Sequence, residues 1–174
     1  MVRPAFTLIE LLIVIALFGI IAGFGWPSLA GWNCKQELRN EFEALNSVFE
    51  NARVEAVNRN RSILIEPNNR LPSVGATYSV FLLSENICSA TQARQSLSLV
   101  IPNLTISNNY TLRGAAFQCF HADGSATASQ ANQVHRIERT CSGEAHSYQT
   151  VVFGATGLFE KRVFFAGTAG FLDL

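Results

Sequence analysis

The sequence lacks an excess of charge of either sign, and it lacks the motifs of common catalytic centres. Its 174 residues include 13 basic and 13 acidic side chains, and both residues 1–61 and residues 62–174 are balanced. This balance argues against capture of nucleic acid by bulk charge. No nucleophile elbow, HExxH pair or phosphate-cradling glycine loop occurs. We therefore predict that the protein is not an enzyme and needs no cofactor.

A long internal stretch, from Leu11 to Cys34, contains no charged side chain. As a helix, Leu11 to Trp32 would extend roughly 33 Å at 1.5 Å per residue, which matches the apolar core of a bilayer. Soluble proteins do bury apolar helices, but seldom one this long without a charge. Arg3 lies before the stretch and Trp26 near its end, which predicts a cytoplasmic N-terminus and an external remainder.

Glu10 is the acidic exception at the start of this stretch. A carboxylate at membrane depth costs roughly 2.5 to 3.5 kcal/mol on insertion scales, so it needs a partner. The stretch itself contains no basic residue. An amino group exposed at Phe6 by a cut after Ala5 would be such a partner. Because the two groups of one helix need not face each other, we expect the pairing to join neighbouring molecules.

The segment from Ala5 to Val14, AFTLIELLIV, resembles the class III signal of type IV pilins and of type II secretion pseudopilins. The resemblance implies cleavage between Ala5 and Phe6 by a prepilin peptidase, and N-methylation of Phe6. It also implies that Glu10 meets the Phe6 amine of a neighbouring subunit during assembly. Family members usually carry glycine where this chain has Ala5. Their helices carry a proline near the position of Pro27, which by itself predicts only a helix kink or end.

A competing interpretation is an ordinary secretory signal that is cut after the small-x-small sequence Ser28 to Ala30. This cut would release a soluble protein that starts at Gly31. The acidic Glu10 and the unusual length of the apolar stretch argue against it.

A second helical pattern follows the apolar stretch. Apolar residues recur at steps of four and three, which is the period of one buried helix face; they are Leu38, Phe42, Leu45, Phe49, Ala52 and Ala56. Charged residues mostly occupy the opposite face, and the pattern fades over residues 58–61. A coiled-coil dimer would show similar spacing, but a β-rich segment that needs covering follows, so we predict packing on a sheet.

The remainder predicts short strands separated by polar loops. We expect strands at 62–66, 77–83, 97–101, 117–121, 134–139, 148–153 and 158–165, and loops at 67–76, 84–96 and 102–116. Asp123-Gly124 and the stretch from Gly154 to Gly157 predict tight turns. The predicted fold class is α+β, with a long N-terminal helix packed on an antiparallel sheet or sandwich.

The pattern and the resemblance together divide the chain into four parts. The resemblance implies a leader at 1–5 and a transmembrane and assembly helix at 6–33; the pattern predicts an amphipathic continuation of that helix at 34–61 and a β-rich head at 62–174. Within the pilin-like group, the stretches 117–126 and 151–157 are similar to the GspH/FimT family. That resemblance implies a compact, sandwich-like head behind the helix.

Four cysteines, at positions 34, 88, 119 and 141, lie in the part that we expect to leave the cytoplasm, where disulfides persist. Three complete pairings are open. One joins Cys119 to Cys141 across neighbouring strands, and Cys34 to Cys88; free buried thiols are the alternative. A metal site is not predicted, because the cysteines are far apart in sequence and His121, His135 and His146 lack ligand spacing.

Three functions follow from the resemblance. The first is a minor pilin at or near the tip of a type IV pilus, where it helps to prime assembly. The second is a GspH-type pseudopilin of type II secretion. The third is a FimT-like DNA receptor, although the stretch Gly157 to Arg162 interrupts the basic C-terminal motif of such receptors with an acid. Candidate DNA contacts are Arg59, Arg61, Lys161 and Arg162.

The implied partners are other pilins or pseudopilins, prepilin peptidase and the inner membrane, with DNA as the less favoured partner. The implied location is the bacterial inner membrane as a single-pass protein with a periplasmic head, and afterwards the pilus or pseudopilus.

Overall fold

In the residues that it describes, a computed structural model gives one long helix followed by ten strands. It describes residues 7–67, 77–88, 93–107, 109–114, 117–126, 132–164, 170 and 172–174, with the backbone alone for 22–30, 112 and 173. The elements are α1 (Leu8–Arg59), β1 (Ile63–Pro67), β2 (Thr77–Leu83), β3 (Arg94–Ser96), β4 (Leu104–Thr105), β5 (Thr111–Gly114), β6 (Gln118–Phe120), β7 (Gln133–Cys141), β8 (Glu144–Val152), β9 (Phe159–Phe164) and β10 (Leu172–Asp173).

The helix α1 has a clear physical start and end. Thr7 is its N-cap, and the Thr7 hydroxyl oxygen accepts a hydrogen bond from the Glu10 amide at 3.4 Å. Asn60 ends the helix in the left-handed conformation, as expected from the fading pattern, and its amide returns to the carbonyls of the last turn. The helix continues past Pro27. Within the described residues, no helix combines the length and hydropathy that a membrane crossing requires.

The strands form two antiparallel sheets. The first sheet has the order β3-β2-β1-β6, and β4 also pairs with β2; the second has the order β10-β9-β8-β7-β5. The second half of α1 contacts strands of both sheets. This arrangement confirms the predicted α+β class.

Most strand predictions agree with the structure within a few residues, and the strand at Thr77–Leu83 has the predicted bounds. The strand predicted at 97–101 is wrong, because Val100 and Ile101 both donate to the Leu97 carbonyl and form a turn. Leu97 and Ile101 are both buried because the turn points them into the same core. The loops predicted at 84–96 and 102–116 contain the short strands β3, β4 and β5. Residue 165 and residues 68–76 lie outside the described chain.

The core forms where the apolar face of α1 meets the two sheets. All six residues of the predicted face, Leu38, Phe42, Leu45, Phe49, Ala52 and Ala56, have no exposed surface. The Phe42 ring lies 5.1 Å from the ring of Tyr148 on β8. Phe120 of the first sheet meets Phe159 of the second at 5.8 Å.

Two buried polar pairs cross this core. Asn46 of α1 donates to the Phe42 carbonyl at 2.8 Å and accepts a hydrogen bond from the Thr150 hydroxyl. His135 of β7 lies 3.1 Å from the Gln118 side-chain oxygen of β6, and thereby joins the two sheets. These partners matter because a buried polar group without one costs about 1 to 3 kcal/mol.

The predicted turns pack against each other at the far end of α1. Gly124 and Gly157 have positive φ, and a β-carbon on Gly157 would lie 2.0 Å from the Gly124 carbonyl oxygen. Arg53 of α1 donates to the Gly124 carbonyl at 3.0 Å and to the Thr156 carbonyl at 3.1 Å. One guanidinium therefore holds both turns on the helix.

We predict that Phe42→Ala lowers the free energy of unfolding by about 3 to 5 kcal/mol, because it leaves a cavity between α1 and β8. Urea unfolding followed by the near-ultraviolet signal of the buried tyrosines measures this change. Val54→Ala is the control, since Val54 is 55% exposed on the same helix and should cost little. Equal losses in both variants would contradict the packing.

His135 should make stability depend on pH. Burial lowers its pKa to about 4, whereas an unfolded histidine titrates near its ordinary value of 6.5. As the pH falls, the unfolded chain thus binds a proton at His135 before the folded chain does. The contribution of neutral His135 to the free energy of unfolding is therefore complete above pH 6.5 and is lost as the pH falls toward 4. The maximum loss is about 3 kcal/mol. Urea midpoints between pH 7 and pH 4 should shift less in His135→Gln than in the natural chain, and an equal shift in both proteins would contradict this origin of the pH dependence.

Candidate functional site

The first turns of α1 expose an apolar surface interrupted by one carboxylate. Every described side chain from Thr7 to Ile21 is exposed, Glu10 among them. The large apolar members include Leu8 at 80%, Phe18 at 69% and Ile21 at 69% exposed. Water-soluble monomers rarely expose such a continuous apolar surface. This half of α1 therefore needs a cover that the described chain does not supply.

Glu10 lies in the first helical turn, where the unpaired amides and the helix dipole favour a negative charge. The next charged residue along α1 is Lys35, about 38 Å away at 1.5 Å per residue. A cation for Glu10 must therefore come from outside the described part of this helix. Ala5 and Phe6, the predicted cleavage and methylation positions, lie outside the described residues. The side chain of Pro27 also lies outside them.

The second half of α1 is fixed to the second sheet by ion pairs that periodicity did not reveal. Arg139 of β7 bonds Glu37 at 2.6 Å, and Lys161 of β9 bonds Glu43 at 2.9 Å. The hydrogen bond with Glu43 raises the pKa of Lys161, and the bond with Glu37 raises that of Arg139. Opposite charges on the helix and the strands were visible in the sequence, but their pairing depends on the strand register.

Two disulfides are present, and only the one at Cys34 attaches α1 to the second sheet. Their pairing differs from the one considered from the sequence. Cys34 pairs with Cys141, and Cys88 pairs with Cys119. The Cys119–Cys141 and Cys34–Cys88 bonds are therefore both wrong. Cys119 and Cys141 are not on neighbouring strands, because β6 belongs to the first sheet and β7 to the second. In the chain-entropy model, loops of 107 and 31 residues give about 5 and 4 kcal/mol.

The Cys34–Cys141 bond joins α1 to a tight hairpin. Ser142 and Gly143 connect β7 to β8, and their φ values of 54° and 85° are those of a type I′ turn. Gly31 of α1 approaches this turn closely, since a β-carbon there would lie 2.8 Å from the Ser142 hydroxyl oxygen. The head therefore begins where α1 meets this hairpin.

The candidate DNA contacts do not form one basic surface. Arg59 pairs with Glu55 at 2.6 Å at the end of α1, and Arg61 follows in the link to the first sheet. Lys161 and Arg162 lie on β9 of the second sheet, where Arg162 pairs with Glu160 at 2.8 Å. Carboxylates thus neutralise three of the four residues.

The three histidines have separate surroundings. His121 contacts the Cys88 sulfur, His135 contacts Gln118, and His146 lies 3.6 Å from Glu144. In the part of the chain that the structure describes, no three His, Cys, Asp or Glu side chains are placed to hold a metal ion.

Comparisons with known proteins identify the N-terminal segment. Residues 3–26 match the model of the prokaryotic N-terminal methylation motif, which confirms the predicted type IV pilin-like N-terminus. The chain is also similar to the crystal structure of the type IV minor pilin FimU of Pseudomonas aeruginosa, with 17% identity and a TM-score of 0.46 over 81% of this chain and 96% of that one. No curated protein matches the sequence.

The motif predicts the mature N-terminus. In cells with a prepilin peptidase, we expect the chain to begin at Phe6 and to carry one methyl group on its amine. Intact-mass and N-terminal fragment spectra of the protein purified from membranes check both features. A chain that begins at Gly31 would instead indicate an ordinary secretory signal.

Proposed function

We propose that this protein is a minor pilin of a bacterial type IV pilus, a non-enzymatic subunit that assembles through the first half of α1. The observation that carries the proposal is the exposed apolar surface of α1 with Glu10 in its first turn, which lies within the methylation motif matched at residues 3–26. A surface of this kind suits lateral packing with the corresponding helices of other subunits.

Before assembly, the inner membrane would cover this surface. Lipid chains accept the apolar side chains at no cost, but they offer no partner for the Glu10 carboxylate. The single-pass chain would keep its N-terminus in the cytoplasm and its head in the periplasm. Removal of residues 1–5 by prepilin peptidase would then expose the amine of Phe6.

Assembly would bring the Glu10 carboxylate of one subunit to the Phe6 amine of its neighbour. Breaking a buried ion pair by removing one partner typically costs about 3 to 5 kcal/mol, because the other charge stays unpaired. A single pair of charges in an apolar bundle therefore selects one axial register among many with similar apolar contacts. Glu10 would set the position of each new subunit.

We assign this subunit to the tip of the filament, where it would help to prime assembly. Among the described residues, the head has its own buried core and both disulfides close within one chain, which suits a subunit that ends the filament. A GspH-type pseudopilin would use the same helix physics for protein export, and the neighbouring genes distinguish the two systems.

We predict that Glu10→Ala inserts into the membrane normally but enters filaments at least about tenfold less, the factor that 1.4 kcal/mol produces. The variant removes a costly charge from the membrane and the register-setting partner from the bundle. Immunoblots of membrane and sheared-filament fractions measure both quantities.

Glu144→Ala is the matched control, because Glu144 is an exposed carboxylate of the head and should leave filament entry unchanged. Glu10→Gln separates charge from size, and we expect it to behave like Glu10→Ala. Normal entry of both Glu10 variants would refute the pairing.

A further inference from the structure

The Cys88–Cys119 disulfide has a histidine beside one of its sulfurs. The Cys88 sulfur lies 3.5 Å from Nε2 and 3.7 Å from Nδ1 of His121. The Ser62 hydroxyl oxygen lies 3.4 Å from Nδ1 and gives the ring a second contact. Asp123, in the turn after β6, interacts electrostatically with His121. The imidazole therefore lies as a proton acceptor directly beside the sulfur.

The two sulfurs of this bond differ in access. Cys119 lies in β6 with no exposed surface, whereas Cys88 is half-buried and follows the exposed residues 84–87. A large reactant that approaches the folded head therefore meets Cys88 first.

The other disulfide has a different environment. The Cys34 sulfur lies 4.0 Å from the Thr140 carbonyl oxygen, whose partial negative charge disfavours a thiolate. A thiolate beside an imidazolium is stabilised, and the thiolate is the species that attacks disulfides. We therefore expect the Cys88 thiol to be more reactive than the Cys34 thiol when the two disulfides form.

We propose that Cys88 is the cysteine that first reacts with a protein or glutathione disulfide when the Cys88–Cys119 bond forms in the folded head. We propose further that His121 is the base that activates the Cys88 thiol. His121 takes the Cys88 thiol proton, and the thiolate attacks one sulfur of the donor disulfide. A mixed disulfide forms, and the other donor sulfur leaves and is protonated. Cys119 then loses its proton and attacks the Cys88 sulfur, which releases the second donor sulfur as a thiol. Two protein thiols are oxidised, and one donor disulfide is reduced to two thiols.

The test uses the full-length chain in detergent, reduced under native conditions and then mixed with oxidised glutathione at pH 7. Acid quenching, alkylation and peptide mass spectrometry follow each cysteine with time. We expect glutathione on Cys88 before Cys119, and closure of Cys88–Cys119 that is about threefold slower in His121→Gln. The Cys34–Cys141 bond is the internal control and should close at the same rate in both proteins. Glutathione first on Cys119, or equal closure rates, would overturn the proposal.

A second variant keeps the test independent of the folding of His121→Gln. In Cys119→Ser, with His121 intact, iodoacetamide should alkylate Cys88 with only a weak dependence on pH between 6 and 7. An unassisted thiol reacts about tenfold faster per pH unit in this range. That steep dependence in Cys119→Ser would also reject a role for His121.

Discussion

Both halves of α1 carry apolar surface that must be covered. The two halves are covered in different ways. From Leu38 onward, the two sheets of the same chain cover the apolar face, and the side chains there have no exposed surface. From Leu8 to Ile21, the described side chains remain exposed on every face of the helix. One half therefore belongs to a folded head, and the other half is suited to lipid or to the helices of other subunits.

The polar groups follow the same division. Within the head, Glu37 and Glu43 of α1 pair with Arg139 and Lys161 of the second sheet, and these pairs hold α1 in a fixed position along the strands. In the exposed half, Glu10 is the charged group, and the described helix offers it no cation. The proposed function gives that carboxylate a role in assembly, which a purely anchoring helix would not need.

The helix and most strands could be predicted from the sequence because their patterns are local. The spacing from Leu38 to Ala56 identified the buried face, and the residues 58–61 indicated its end. Local pattern failed where a turn brings Leu97 and Ile101 to the same side, since two apolar ends of a turn look like a short strand. Cysteine pairing could not be predicted, because no local signal assigns Cys119 and Cys141 to different sheets.

Some residues of the candidate sites could be found from neighbouring sequence positions, whereas others depend on contacts between distant positions. Glu10 and its motif lie in consecutive residues, so sequence alone sufficed to find them. The contact between His121 and Cys88 depends on the folding of a loop onto β6, and only the structure reveals it.

The bond between Cys34 and Cys141 has a mechanical consequence. It joins α1 to the end of β7 close to the point where the helix leaves the head. When the exposed half of α1 is pulled, the load passes at Cys34 through a covalent bond into β7, which is paired on both sides in the second sheet. The segment from Leu38 to Ala56 is thereby spared the tension that would peel it from the core.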